Sequence, residues 1–243
     1  MLFLILSILA QAGLIVHVIK TGRNQLWIWV LLFLPLAGGV AYVAVEILPE
    51  LFRSRTAQRA SRGFKRAMDP GANLRRYESE VRVAGNVASR QRYAEELIRH
   101  ERYDEAIQQY REALSGLYEH DPNLMLGLAQ AQFGKGDAAA ARATLDELIR
   151  LNPGFRSPAG HLLYARALAA EDNIPKALEE YRVLAPSYPG AEAAVRYAQL
   201  LDAQGQREAA QQVVRELLER SRIAPGHYRR AQREWLEAAQ RLL

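Results

Sequence analysis

Pro122-Asn-Leu-Met-Leu-Gly-Leu-Ala129, followed by Gly136-Asp-Ala-Ala-Ala-Ala141, Leu145, Leu148 and Asn152-Pro153, decides how this chain is read. The apolar spacing predicts two amphipathic helices joined by a turn at Gly136, with Pro153 stopping the second. Small Ala129 and Ala141 fall where the two helices must cross, so their backbones can approach closely.

The same marks recur along the chain. The first-helix alanine returns as Ala94, Ala129, Ala165 and Ala198, and its second-helix counterpart as Ala106, Ala141, Ala177 and Ala210, at intervals of 35, 36 and 33 residues. One turn after the latter stand Tyr110, Leu145, Tyr181 and Val214. A closing proline ends the middle copies at Pro153 and Pro189, whereas the outer copies carry Tyr118 and Arg222 there. Four in-phase copies with a period of about 34 residues resemble the tetratricopeptide repeat, whose terminal copies are commonly atypical. The resemblance covers Val87 to Arg222. It implies an all-α solenoid of about four helix pairs, with no strands, that binds proteins.

In that family the second, fifth, ninth and twelfth residues of each copy face a concave groove. Carried onto this chain, those positions give Ala88, Gln91, Glu95 and Ile98, then Asn123, Leu126, Gln130 and Phe133. The third copy gives Ala159, Leu162, Arg166 and Ala169, and the fourth gives Glu192, Val195, Gln199 and Asp202. The protein-binding candidates among them are Gln91, Glu95, Asn123, Leu126, Gln130, Phe133, Leu162, Arg166, Val195, Gln199 and Asp202. The apolar set of Leu126, Phe133, Leu162 and Val195 either seats a partner's helix or extended segment or completes packing between repeats. The Lys-and-Asn clamp with which chaperone-binding members hold a peptide carboxylate is not present.

The N-terminal third is different in kind. Leu2 to Ile19 carries no charge, and Leu26 to Leu48 carries only Glu46. Either stretch is long enough for a bilayer core of about 30 Å, so residues 1–48 are expected to form a two-span hairpin turning at Lys20 to Gln25. A cleaved signal peptide is not expected, because the basic start and cleavage pattern are missing. Gln11 falls mid-span, and His17 and Glu46 fall near the ends. The run from His17 through Trp27, Trp29, Pro35 and Gly38-Gly39 to Tyr42 resembles the N-terminal membrane hairpin of bacterial cardiolipin synthases and related phospholipase D-type proteins. The paired His-x-Lys motifs that carry their chemistry are missing, since none of the five histidines has a lysine two residues on.

Charge supports the same division. Residues 1–49 carry two basic and one acidic residue, residues 50–84 nine and four, and residues 85–243 twenty-one and twenty-two. The excess therefore sits beside the apolar third, in Arg53, Arg55, Arg59, Arg62, Lys65 and Arg66. Residues 49–73 are expected to hold a basic amphipathic helix on an anionic membrane surface, followed by a linker at Asp69-Pro-Gly-Ala-Asn73. The positive-inside rule then places both termini and the repeats, residues 74–243, in the cytoplasm of a bacterial inner-membrane protein. The 28 arginines against 4 lysines fit a GC-rich bacterial genome. Nucleic acid is not an expected partner, because the repeat region is close to neutral.

No catalytic set is visible. Gly134-Lys135-Gly136 lacks the residues of a phosphate loop, no His-Glu-x-x-His spacing exists, and there are no cysteines. Carboxylate pairs such as Glu95-Glu96, Asp104-Glu105 and Glu179-Glu180 are expected on solvated faces. No cofactor or metal is expected, and no enzyme activity. Flanking stripes at Leu74, Tyr77, Val81 and Ala84, and at Tyr228, Ala231, Trp235, Ala238 and Leu242 on one final helix, are expected to cap the stack. The expected function is a membrane-anchored adaptor that binds a protein partner or assembles with itself. Its alternatives are an accessory protein of phospholipid metabolism that binds anionic lipid or a lipid enzyme, and a structural homo-oligomer in the membrane.

Overall fold

The computed structural model describes residues 2–21, 24, 26–47, 69 and 71–243, without the side chains of residues 2–11, 35, 36, 38, 40, 46 and 47. It divides into two units, Met1–Ala72 and Asn73–Leu243. Every element described is helical.

In the first unit, α1 is Leu2–Thr21, α2 is Leu26–Phe33 and α3 is Pro35–Tyr42, running into a π-helical turn at Val43–Ile47. Val18, Leu31 and Tyr42 are buried together with Leu14, Ile15, Trp27 and Ile28 around them. The Tyr42 hydroxyl lies 3.0 Å from His17 Nδ1, and Trp27 meets the Tyr42 ring edge to face at 5.3 Å. His17 is thus tied to α3.

Among the described residues, no helix is long and apolar enough to cross a membrane. The stretch expected as the second span is divided instead. Proline disfavours helical backbone in the residue before it, so the chain bends at Leu34, and α2 and α3 have eight residues each, about 12 Å of helix apiece. The side chain of Gln11, that of Glu46, and the basic stretch containing Arg53, Arg55, Arg59, Arg62, Lys65 and Arg66 lie outside the described residues.

The second unit opens with α4, Ala72–Ala84, and continues as four helix pairs. These are α5 Val87–Arg99 with α6 Tyr103–Ala113, α7 Pro122–Gly134 with α8 Ala138–Leu151, α9 Pro158–Ala170 with α10 Ile174–Leu184, and α11 Glu192–Ala203 with α12 Arg207–Ile223. Two short helices follow, α13 Gly226–Ala231 and α14 Arg233–Gln240. Asn86, Asp121, Asp137 and Ser157 cap helix starts by accepting from backbone N–H groups. Arg222 lets α12 run on to Ile223, longer than its counterparts, because no proline halts it.

All eight crossing alanines are buried to within 1% of complete, and Tyr110, Leu145, Tyr181 and Val214 lie beside them in the core. The turn inside each pair repeats one geometry. Glu101, Gly136, Asp172 and Gly205 each take a positive φ, between 58° and 94°. The next N–H in each case reaches back to the helix carbonyl five residues before it: Arg102 to Leu97, Asp137 to Gln132, Asn173 to Leu168 and Gln206 to Leu201, at 2.9–3.0 Å.

At the N-terminal end, Leu74, Tyr77 and Val81 cover the first cluster as expected, while Ala84 is exposed. The C-terminal cap differs from its expectation. The single final helix is broken at Gln232, whose Oε1 accepts the Ala191 N–H at 3.0 Å. That break shifts the buried register, so Ala239 is covered completely, Leu236 joins Trp235, Ala238 and Leu242 in the core, and Ala231 is exposed.

Candidate functional site

The first helix of each pair contributes to one shared face, and contacts along it cross from repeat to repeat. The Arg166 guanidinium on α9 lies 4.7 Å from the ring centroid of Phe133 on α7. Its Nη1 is 3.9 Å from Glu192 Oε1 on α11. Glu192 accepts from Arg196 Nε at 2.7 Å, and Arg196 in turn lies 5.1 Å from the ring centroid of Trp235 on α14. Four elements are therefore linked by a row that runs ring, cation, carboxylate, cation, ring, in which each ring's negative face attracts its neighbouring cation.

Charge on this row is uneven. Two guanidiniums share one carboxylate, and Arg166 makes no hydrogen bond among the described residues, its Nε being buried without a partner. A separation of 3.9 Å is too long for one. Burial, then repulsion from Arg196, lowers the Arg166 pKa from its usual value. The same surroundings raise that of Tyr188, chiefly through burial and secondly through Glu192.

The expected groove residues do not share one environment. Phe133 and Arg166 meet directly. Asn123, Gln130, Gln199 and Asp202 are exposed, and Gln91 and Glu95 are half-buried, with Gln91 Nε2 donating to Glu95 Oε1 at 3.1 Å. Leu162 and Val195, by contrast, are only 4% and 0% exposed. They pack between repeats and are not surface groups, because a first helix turns its core-facing side toward both its own partner and the next pair. Leu126 leans on the start of α9 at Gly160 and is half-buried.

Two carboxylates expected on solvated faces are also placed otherwise. Glu96 is buried and paired with Arg99 and His100, and Glu180 Oε2 lies 2.7 Å from His161 Nε2 across the third pair. Sequence reasoning gave Arg196, Tyr188 and Trp235 no part in the face. The Glu192/Arg196 spacing of four was a usable signal, whereas the position of Trp235 depends on the break at Gln232. Among the described residues, no group of three or more histidine and carboxylate side chains is placed to hold a metal ion.

Residues 97–167 match the family model of the tetratricopeptide repeat (TPR). Residues 97–167 carry tetratricopeptide repeats. Solved structures agree at the level of the fold. A thermophilic TPR protein of Thermus thermophilus aligns with a TM-score of 0.53 at 16% identity, covering 69% of this chain and 88% of its own. YrrB, described as a TPR protein with an unusual peptide-binding site, aligns with a TM-score of 0.50 at 17% identity, covering 69% and 81%. PilF of Pseudomonas aeruginosa aligns with a TM-score of 0.51 at 21% identity over 94% of this chain and 99% of its own. Among curated proteins, none matches. These comparisons do not carry the resemblance of the N-terminal stretch to cardiolipin synthase hairpins.

Proposed function

We propose that this TPR protein is a membrane-anchored scaffold that holds a protein partner in the face formed by its first helices. The observation that carries the reading is the cross-repeat row from Phe133 through Arg166, Glu192 and Arg196 to Trp235. A helix face whose only task was solvation has no need of rings and half-buried cations in register over three repeats. Aromatic and arginine side chains are also the groups that concentrate binding energy at protein interfaces. YrrB, with a peptide-binding site on the same fold, supports the reading by analogy.

Membrane anchoring rests on the sequence of the first unit. Its support is the sequence alone: Leu2 to Ile19 has no charged residue. The basic block that follows favours a cytoplasmic face for the repeats. Confinement there raises the effective concentration of a partner in the same membrane, so a modest groove suffices.

A photo-crosslinking residue at Gln130 or Gln199, tested in native membranes against one at Ile149 on a second helix, examines both parts. The expected result is one discrete foreign protein attached from Gln130 and Gln199 but not from Ile149, in a fraction released by detergent and not by alkaline carbonate. Attachment only to other copies of the chain would overturn the scaffold reading in favour of self-assembly. Release by carbonate would overturn the anchor.

A further inference from the structure

A slot of about 480 Å³ opens beside the cationic row, bounded by Pro158 and Ala159 at the start of α9, Tyr188, Glu192 and, from the C-terminal cap, Trp235. Its walls include a phenol, an indole and proline rings, and Glu192 lines it as well; the two guanidiniums that share the Glu192 carboxylate lie next to the slot, behind Glu192 and Trp235. Trp235 serves two ends. It is partly buried against the last repeat's core, and its ring supports Arg196. The cap helix is therefore a wall of the binding face as well as its terminus.

Two features identify the occupant. The ring-lined part of the slot favours an apolar side chain, which loses water there without leaving a polar group unpaired. The row beyond it has one more cation than anion, and Arg166 has a half-buried guanidinium with no hydrogen bond. A carboxylate arriving at that point gains charge-assisted hydrogen bonds from a cation already desolvated and already held in place by Phe133. A cation arriving there meets two like charges. We infer that the slot takes an extended peptide segment in which an apolar side chain enters between Tyr188 and Trp235 and a neighbouring aspartate or glutamate bonds Arg166 and Arg196. This rests on the groove reading above and adds to it the chemistry of the segment bound.

Glu192 is the competitor in this arrangement. It occupies Arg196 when the slot is empty, and an incoming carboxylate must share or displace it. Removing its charge therefore strengthens the binding of an acidic segment, an effect that a purely structural Glu192 would not produce.

The test is selection of random peptides displayed on phage against the full chain in detergent, followed by fluorescence anisotropy with labelled synthetic versions of the enriched sequences. The expected consensus pairs an apolar residue with an acid. Arg166→Gln and Arg196→Gln should each weaken binding roughly tenfold, the scale of one charge-assisted hydrogen bond. Glu192→Gln should tighten it, Trp235→Ala should remove the apolar preference, and rising salt should weaken it. Circular dichroism confirms that each variant is folded, and the Glu192→Gln gain keeps the test decisive if an arginine variant is not. Enriched peptides that lack an acid and bind Arg166→Gln as tightly as the natural chain would overturn the inference and leave the groove reading standing. Enrichment of no peptide sensitive to any of these residues would overturn both.

Discussion

The ring of Tyr110 on α6 lies directly against the backbone of Gly127 on α7, so closely that a side chain at 127 would overlap the phenol. Tyr110 is 2% exposed and has no room to swing away. At the next junction the corresponding residues are Leu145 and Leu163, buried in one cluster. Volume missing on one helix is supplied by its neighbour, the complementarity expected of a close-packed interior.

Gly127→Ala should therefore destabilise the repeats by about 1–3 kcal/mol through overpacking, read as a lower urea midpoint. Combining Tyr110→Leu with Gly127→Leu reproduces the pair found at the next junction and should recover much of the loss. If the double variant is no more stable than Gly127→Ala, the Tyr110 contact is not the cause.

The turns make a second prediction. Glu101 and Asp172 adopt a φ of 58° and 60° where the other two copies have glycine. L-residues with side chains pay on the order of 1–2 kcal/mol for this conformation, offset in part by glycine's greater freedom when unfolded. Glu101→Gly and Asp172→Gly should each raise stability by about 0.5–1 kcal/mol, and Gly136→Ala should lower it by about 1 kcal/mol. Thermal melts of the three variants check the signs.

These cases mark what was legible in the sequence. Repeat period, helix pairs, crossing alanines and the Gly136 turn are local patterns repeated four times, and repetition separates them from chance. Which first-helix residues remain on the surface was only partly legible. Leu162 and Val195 obey the same positional rule as Gln130 and Gln199, yet apolar side chains are drawn into the inter-repeat core when the neighbouring helix offers a place for them. The part played by Trp235 was not legible at all, since it depends on Gln232 leaving the helix to bond a backbone group 41 residues earlier.

That bond supports a third prediction. Ala191 is fully buried, and its N–H is satisfied by Gln232 Oε1. Gln232→Ala leaves a buried donor without a partner, at a cost of about 1–3 kcal/mol. The loss should be local, with amide exchange accelerated in Gly226–Ala231, Arg233–Gln240 and the start of Glu192–Ala203, and the Pro122–Gly134 helix unaffected. Uniform acceleration across all four pairs would show that the cap is not held by this bond.

Tyr181 gives a prediction in pH. Burial holds its hydroxyl in the neutral form and pushes its pKa up to about 12, outweighing the attraction of the Arg196 and Arg166 guanidiniums for the phenolate, which acts in the opposite direction. A folded-state pKa above the unfolded value of about 10 means that the folded chain keeps the proton more tightly. The associated stability is complete below pH 10 and is lost as pH rises from about 10 to about 12. Two pH units of difference correspond to no more than about 2–3 kcal/mol. Chemical denaturation at pH 9 and pH 11 should show the natural chain losing stability across this interval, and Tyr181→Phe should lose less, because its ring has no proton to release. Identical pH slopes for the two would mean that Tyr181 ionises in the folded repeats as readily as in water.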